Sequence, residues 1–165
     1  DDDQWLYLPA VRKIRRISAS DRGDYFLGTD FSFEDIKNES KPNLNDYHHK
    51  RLGTELVDDV ECIVVEGLPV SDAVATELGY GRVVSCVDPN IWMARKTEFW
   101  DPKGNKLKEI RVHRIEQIDG IWTSLDVHVK NIKTGHKTRF TFSNVDYQTP
   151  VEDRWFETSQ LRRGL

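Results

Sequence analysis

The sequence predicts a mainly β protein whose antiparallel sheet has one covered face and either closes as a barrel or stays open as a curved half-barrel. Turn signals recur through the second half at a spacing of roughly 8–15 residues, which is typical of an antiparallel meander. The segments between these turns show no 3.6-residue period. About eight segments have the pattern of strands, and few have that of helices.

Composition limits the class of protein. The chain has 165 residues, of which 38% are hydrophobic and 32% are charged, and its length predicts a single domain over residues 1–165. Five Trp, five Tyr and seven Phe argue against disorder. No run of about 18 apolar residues is present, so no membrane-spanning segment is predicted. The net charge of −4 and the pI near 5.7 argue against nucleic acid as a partner.

The pair Asp119-Gly120 predicts the register of a central hairpin. Asp-Gly favours a two-residue type I′ loop because both central residues need positive φ, and this loop places Ile118 opposite Ile121. One face then carries the mostly apolar pairs Ile110 with Val129, Val112 with Val127 and Arg114 with Leu125. The other face carries Glu109 with Lys130, Arg111 with His128 and His113 with Asp126. A slip of one residue would bury these charges, so we expect a firm register.

The preceding hairpin turns at Asp101–Gly104, and its sequence leaves two registers open. A four-residue loop places Met93 and Phe99 on the apolar face. A bulged three-residue loop places Trp92 and Trp100 there instead. We favour the four-residue loop.

The first half of the chain is predicted to form shorter elements. Strands are expected at Gln4–Leu8, Val11–Ser18, His49–Val57, Val60–Leu68 and Arg82–Val87. Short helices are expected at Phe33–Lys37, capped by Thr29 or Asp30, within Asp72–Leu78 and near Asp153–Thr158.

Two histidines of the central hairpin suggest metal or acid–base chemistry. His113 and His128 lie near each other across the hairpin with Asp126 beside them, and such a cluster can bind zinc or orient a general base. We favour a solvated cross-strand pair, because polar residues alternate along the outer face of such sheets. No phosphate-binding loop or nucleophile motif occurs, so we predict neither a cofactor nor an enzyme. A metal-assisted hydrolase is the third hypothesis.

The basic run Arg12-Lys13-Ile14-Arg15-Arg16 is the most unusual local feature. In a strand it carries charge on both faces, so the strand is not simply core-facing. One interpretation is a contact with phosphates or an acidic partner. The interpretation that we favour is an edge strand whose charges block edge-to-edge pairing.

Five aromatic residues flank this run, namely Trp5, Tyr7, Phe26, Phe31 and Phe33. We expect them to belong to the core. An apolar ligand pocket is the alternative.

Cys62 and Cys86 fall in two predicted strands separated by one long loop. If these strands pair, the residues could reach the Cα separation of about 4.4–6.8 Å that a disulfide needs. A disulfide would imply an oxidising compartment. Two buried free thiols are an equal alternative.

Four motifs in a fixed order carry a resemblance to a known family. They are Trp5–Ile17, Gly28–Asp35, Ile118–Thr123 and Thr134–Thr138. Together they resemble the bacterial outer-membrane lipoprotein-sorting proteins, a family related to the periplasmic lipoprotein carrier LolA. The resemblance covers nearly the whole chain.

This resemblance implies a fold and a role. The fold is a strongly curved, open antiparallel half-barrel with short helices on its apolar concave side. The role is that of a non-catalytic periplasmic carrier, which shields acyl chains of a lipoprotein or lipid during transfer toward the outer membrane. Members of the family often accompany lipid-exporting pumps of the inner membrane, so such a pump is an implied partner.

Family members usually carry a signal peptide, an N-terminal helix and several strands before the first of these motifs, whereas this chain begins at that motif. We therefore expect the C-terminal portion of such a half-barrel. Its uncovered edge and apolar face would be covered by dimerisation or strand exchange.

The site that this role implies is the apolar concave face. Its candidate residues are Trp5, Tyr7, Phe31, Phe33, Val112, Leu125 and Val127. The candidates for contact with anionic headgroups or an acidic partner are Arg12, Arg15 and Arg16. The rival hypothesis is a cell-envelope interaction module that docks a partner through its basic strand and sheet edge, without a lipid.

Overall fold

Nine strands account for most of the regular structure in the computed structural model, which describes residues 4–38 and 43–162. They are β1 (Gln4–Leu8), β2 (Lys13–Ile17), β3 (Tyr47–Val57), β4 (Val60–Pro69), β5 (Arg82–Asp88), β6 (Met93–Trp100), β7 (Lys106–Ile118), β8 (Ile121–Asn131) and β9 (Lys137–Thr141). Strands β3 to β9 form one antiparallel meander in chain order, while β1 and β2 form a separate two-stranded ribbon. The curved main sheet is open, with β3 and β9 as its outer strands. The predicted mainly β, half-barrel architecture is confirmed.

Three short α-helices and four 3-10 helical turns, the last of them at Asp153–Phe156, complete the described elements. The α-helices are numbered in chain order. They are α1 (Phe33–Asn38), α2 (Asp72–Leu78) and α3 (Thr158–Leu161). Ser32 starts α1, because its hydroxyl accepts a hydrogen bond from the Asp35 N–H at 3.1 Å and the Asp35 carboxylate accepts one from the Ser32 N–H at 2.6 Å. This reciprocal cap replaces the predicted Thr29 or Asp30. None of the described helices is long and apolar enough to cross a membrane.

The predicted register of the β7–β8 hairpin is confirmed at both ends and is wrong in the middle. Ile118 pairs with Ile121 and Val112 pairs with Val127. Between these points Arg114 pairs with Asp126 rather than with Leu125, and the register shifts on both sides of Arg114. The expected His113–Asp126 pair is therefore absent. Such irregularities add local twist to a sheet, and the even alternation on which the prediction relied does not reveal them.

The choice of face in the β6–β7 hairpin is confirmed, but the favoured four-residue loop is wrong, because Asp101 and Asn105 close the bulged three-residue loop. Phe99 is buried, whereas Trp92 is 75% exposed. The Asp101 N–H donates to the Asn105 carbonyl at 2.9 Å, and Trp100 pairs with Lys106. A bulge between Phe99 and Trp100 absorbs the difference in register.

Buried apolar side chains form clusters on both faces of the sheet. The inner face holds one cluster around Phe31, Val112, Val127 and Val129 and another around Leu78, Tyr80 and Phe99. Val57 packs with the two cysteines in a third cluster. Cys62 and Cys86 alternate along β4 and β5 with inner-face residues, so this cluster lies on the outer face. The packing fixes the sheet on both sides.

Cys62 and Cys86 are both buried and both free. Cys86 pairs with Val64, so Cys62 lies diagonally across the β4–β5 pair. Diagonal Cα atoms are about 7–8 Å apart, which is beyond the reach of a disulfide. Burial raises the pKa of the Cys86 thiol to about 11. The free-thiol alternative is the one that the structure contains.

Candidate functional site

A cleft of about 1020 Å³ opens on the inner face of the sheet beside α1. We call it the main cleft. Its walls come from the segment before and within α1, from β8 and β9, and from the residues after β9. Most of the side chains are aromatic or aliphatic, and they include Phe26, Phe31, Ile36, Trp122, Val127, Phe140, Phe142, Val145 and Tyr147. The volume matches the upper range of small-molecule sites.

The polar groups of the main cleft are largely paired within the protein. Arg139 donates to both carboxylate oxygens of Asp126 at 2.8 Å, and this pairing lowers the pKa of Asp126. The hydroxyls of Thr123 and Tyr147 share a hydrogen bond of 3.0 Å. Because few polar atoms remain to hold water, the cleft suits an apolar occupant.

A second cleft of about 560 Å³ adjoins the main one. The two clefts share Asp35, Met93 and Ser124, so they lie on either side of a common ridge. The second cleft is more polar, because His49 and Lys96 line it beside Val65.

Helix α1 is held to the sheet by a buried ion pair. Lys108 of β7 is fully buried, and its Nζ contacts the Asp35 carboxylate. The same ammonium donates to the Asp30 carbonyl at 3.1 Å and lies 5.1 Å from the centre of the Tyr80 ring and 5.2 Å from that of Phe99. A buried charge is tolerated where partners of this kind surround it.

The hydroxyl of Tyr80 extends this network. It donates to Asp35 at 2.8 Å and lies 3.0 Å from the Ser32 hydroxyl. Burial raises the pKa of Tyr80, and the nearby Asp35 carboxylate raises it further. Burial also lowers the pKa of Lys108, although Asp35 opposes that shift. Tyr80 therefore stays protonated at neutral pH and stabilises the Asp35 carboxylate.

A second set of contacts holds the chain just before α1. The buried Asp30 carboxylate accepts from the Thr138 hydroxyl at 2.8 Å and lies 2.6 Å from Nδ1 of His136. Its backbone N–H donates to Thr138 at 3.0 Å. These contacts join the sequence motifs Gly28–Asp35 and Thr134–Thr138. Their order along the chain thus reflects one structural unit beside the main cleft.

The predicted ligand-binding residues divide by location. Phe31 and Val127 line the main cleft, and Val112 lines the second. Leu125 is buried but lines neither cleft. Phe33 is buried as well and packs edge-on against Phe26 at 5.5 Å, so it supports a wall without lining it.

Trp5 and Tyr7 lie on the separate ribbon, where β1 pairs with β2. Neither residue lines the two clefts. The predicted aromatic grouping of these two residues with Phe31 is therefore corrected, because the ribbon does not join the sheet that forms the concavity.

The basic residues of the ribbon are exposed. Arg12 occupies its turn with φ of 51°, Arg15 forms an ion pair with Asp21 at 3.0 Å, and Arg16 lies over the ring of Trp5 at 5.8 Å. None of the three lines either cleft.

The histidine cluster is present, but Asp126 is already engaged. The rings of His113 and His128 are 4.2 Å apart, and His128 lies 3.0 Å from Asp126. Arg139 takes both carboxylate oxygens of Asp126. Within residues 4–38 and 43–162, no three His, Cys, Asp or Glu side chains are grouped so that they could hold a metal ion.

Sequence reasoning missed the wall that follows Thr138. Phe140, Phe142, Val145 and Tyr147 all line the main cleft, and the aromatic spacing in this stretch was the available signal. It also missed the Lys108–Asp35 pair, whose members are 73 residues apart. No local pattern joins residues at that separation.

An open half-barrel with an apolar cleft beside a short, anchored helix defines the class of LolA-like folds. The protein resembles the structure of a domain from Vibrio parahaemolyticus described as an outer membrane lipoprotein-sorting protein, with a TM-score of 0.88 and 30% identity over 99% of this chain and 67% of that one. A DUF1329 family protein from Desulfovibrio piger gives a TM-score of 0.85 and 34% identity, over 98% of this chain and 65% of that one. A LolA superfamily protein from Nitrosomonas europaea gives a TM-score of 0.69 and 25% identity, over 96% of this chain and 68% of that one.

The chain belongs to the outer-membrane lipoprotein-sorting protein family, and its fold is similar to that of a LolA superfamily protein. A family model described only as that of an uncharacterized protein matches residues 1–163. The sequence matches no curated protein. The chain spans about two thirds of the length of the solved relatives.

Proposed function

We propose that this chain carries acyl chains of a lipoprotein or lipid in its main cleft, in the periplasm and toward the outer membrane. The observation that carries the proposal is an unfilled apolar cleft of about 1020 Å³ in a lipoprotein-sorting fold. An inner-membrane lipid-exporting pump is the proposed donor of the cargo. The proposal assigns no catalytic residue, because shielding requires no change in covalent bonds.

The energetics of acyl chains favour such a site. Each CH₂ group moved from water to an apolar wall gains about 0.8 kcal/mol. A carrier must supply most of this gain and still release its cargo. An open cleft with satisfied polar groups meets both needs, whereas a close-packed core would leave no volume for a ligand.

A chain-length series tests the acyl assignment. We expect the affinity for saturated fatty acids, measured by calorimetry from decanoate to stearate, to rise roughly fourfold for each added CH₂. The rise should stop once the cleft is filled. An affinity that does not depend on chain length would contradict the proposal.

A charge in the cleft wall tests its location. Val145 lines the main cleft, whereas Val70 is exposed and lines neither cleft. Val145→Asp should weaken palmitate binding about tenfold or more, because the tail must then lie against a solvated carboxylate. Val145→Leu and Val70→Asp are the matched controls and should bind as the unmodified protein does. Equal binding by all three variants would place the ligand elsewhere.

The natural cargo can be identified by native mass spectrometry with organic extraction of protein purified from the cell envelope. A reproducible co-purifying mass with acyl fragments would support the carrier and give its cargo class. The same spectra measure the fraction of dimer, which we propose forms through the sheet edge. An apo mass that takes up no lipid from envelope extract would favour the interaction module.

A further inference from the structure

We infer that the β1–β2 ribbon, together with the turn at the C-terminal end of the described chain, docks on an anionic lipid surface. This inference concerns a surface outside both clefts and does not depend on the carrier proposal. It rests on three observations about the described residues, which are the local charge, the exposed aromatic side chains and the isolation of the ribbon from the main sheet.

The charge of the ribbon is opposite to that of the protein. Residues 4–17 include four basic side chains, Arg12, Lys13, Arg15 and Arg16, and no acidic one, whereas the whole chain has a net charge of −4. All four are exposed. Asp21 pairs with Arg15 at 3.0 Å, so the excess of charge is concentrated toward the turn of the ribbon. Anionic headgroups attract such clusters.

Apolar side chains are exposed in the ribbon and in the segment that leads to the helix packed against it. Val11, in the turn of the ribbon, is 57% exposed, and Trp5 is 41% exposed. Helix α3 packs against β1 and directly follows a helical turn that carries Trp155 and Phe156, the latter 77% exposed. Trp and Phe beside Lys or Arg are typical of segments that lie in the membrane interface.

The helical turn also carries acidic residues. Glu152, Asp153 and Glu157 flank the two aromatic residues of the helical turn, and Arg154 pairs with Glu152 at 2.8 Å. None of these acids lies in the ribbon itself. The helical turn therefore offers apolar contact with the lipid, and the cations of the ribbon attract its anionic headgroups.

The isolation of the ribbon favours a lipid surface over a protein strand. Among the described residues, β1 pairs with β2 and neither joins the main sheet. Charged side chains on both faces of β2 oppose pairing with another strand. A fluid surface requires no strand register, and it accommodates cations and aromatic side chains together.

Flotation with lipid vesicles tests the inference. The unmodified protein should float with vesicles of phosphatidylcholine and phosphatidylglycerol at 3:1, and should not float with phosphatidylcholine alone. Binding should weaken strongly between 50 and 500 mM NaCl, since salt screens exposed charges. Equal binding to both kinds of vesicle would overturn the proposal.

Charge reversal locates the contact. The double change Arg12→Glu with Lys13→Glu should lower binding at least about 25-fold at low salt, at roughly fivefold for each cation removed. The control is Lys130→Glu with Lys133→Glu, which makes the same change in net charge at two exposed residues distant in sequence. If the two double variants bind alike, net charge and not the ribbon governs binding, and the proposal is wrong.

Two further variants separate the contributions. Phe156→Ser should weaken binding to the mixed vesicles severalfold while leaving its dependence on salt unchanged. Val145→Asp in the main cleft should bind vesicles normally even where it loses palmitate, which distinguishes docking from uptake of lipid into the cleft. Salt-sensitive, Arg12-dependent binding to polyglutamate without vesicle binding would replace the lipid with an acidic protein partner.

Discussion

The two sides of α1 differ in how the same concave face is filled. On one side, which we call the anchored side, Asp35 meets Lys108 and Tyr80, and Phe99 packs against the Tyr80 ring at 4.7 Å. On the other side lies the main cleft, where Phe142 and Tyr147 are about half exposed around an unfilled volume. The aromatic side chains of the anchored side are buried, whereas those at the rim of the main cleft are not.

This difference indicates that two regions of one sheet meet different requirements. A helix that borders a ligand site needs a fixed position, and the buried contacts of Lys108 provide it. The ligand site itself needs volume that no side chain fills. Placing both requirements on adjacent strands lets the fold remain stable while the cleft keeps its volume.

The largest expected effect comes from removing the buried cation. Lys108→Met should lower the free energy of unfolding by about 3–5 kcal/mol, because it leaves the Asp35 carboxylate buried without its charge partner. Chemical denaturation with urea measures this change. The control is Lys106→Met, which removes a more exposed cation of the same strand, β7. Lys106 pairs with Glu98 of β6, and its loss should lower the free energy of unfolding by about 1 kcal/mol or less.

A double variant identifies the cause of the loss. Asp35→Asn added to Lys108→Met removes the unpaired charge. It leaves one side-chain oxygen that can accept from the Ser32 N–H and an amide NH₂ that can donate to the Tyr80 hydroxyl oxygen. We expect at least half of the lost stability to return. If the double variant is less stable than Lys108→Met alone, packing rather than the uncompensated charge explains the loss.

Truncating one phenylalanine on each side sharpens the comparison. Phe99→Ala on the anchored side should cost about 3–5 kcal/mol, because the space that it leaves cannot refill. Phe142→Ala at the cleft, where the side chain is 41% exposed, should cost about 1 kcal/mol or less. Thermal or urea unfolding of the two variants provides the measurement.

The two variants should rank in the opposite order for their effect on ligand binding. Phe142→Ala should weaken binding of palmitate, whereas Phe99→Ala, if it is folded at the temperature of the assay, should bind with nearly unchanged affinity. Equal stability losses in the two variants would show that the main cleft is packed in solution, and the contrast between the two sides would then fail.

Sequence patterns predicted the local structure well and the contacts of the site only in part. Turn chemistry at Asp119-Gly120 gave the end of the β7–β8 hairpin, since Ile118 does pair with Ile121. The shift around Arg114 was missed because a bulge has no signal in alternating hydrophobicity. Phe31 and Val127 do line the main cleft, since the segment before α1 packs against the inner face of β7 and β8.

The long-range features of the site have no local signature. Lys108 looks like one more charged residue in an alternating strand, and its burial depends on a carboxylate 73 residues away. Trp5 looks like a core residue by composition, yet its strand pairs outside the main sheet. Both outcomes depend on which strands become neighbours, and hydrophobic periodicity does not encode that information.

The smallest expected effect is a difference between Tyr80 and Tyr147 variants in how the free energy of unfolding depends on pH. The folded protein raises the pKa of Tyr80 through burial and the nearby Asp35 carboxylate. The stability that Tyr80 contributes is therefore fully present below its ordinary pKa of 10 and is lost as the pH rises above that value toward the folded-state pKa. The free energy of unfolding should accordingly decline above about pH 10.

Tyr80→Phe should cost about 1.5–2 kcal/mol at pH 7, because the hydroxyl donates to a charged carboxylate. The variant should also lose less stability than the unmodified protein between pH 9 and pH 10.5. Tyr147→Phe at the cleft removes only a neutral hydrogen bond to Thr123, so it should cost about 0.5–1 kcal/mol and keep the alkaline decline. Burial also raises the pKa of Tyr47, which is present in both variants, so the difference between their pH profiles isolates Tyr80. Parallel profiles would mean that the Tyr80 hydroxyl is hydrated in solution and that the anchored side is as open as the cleft.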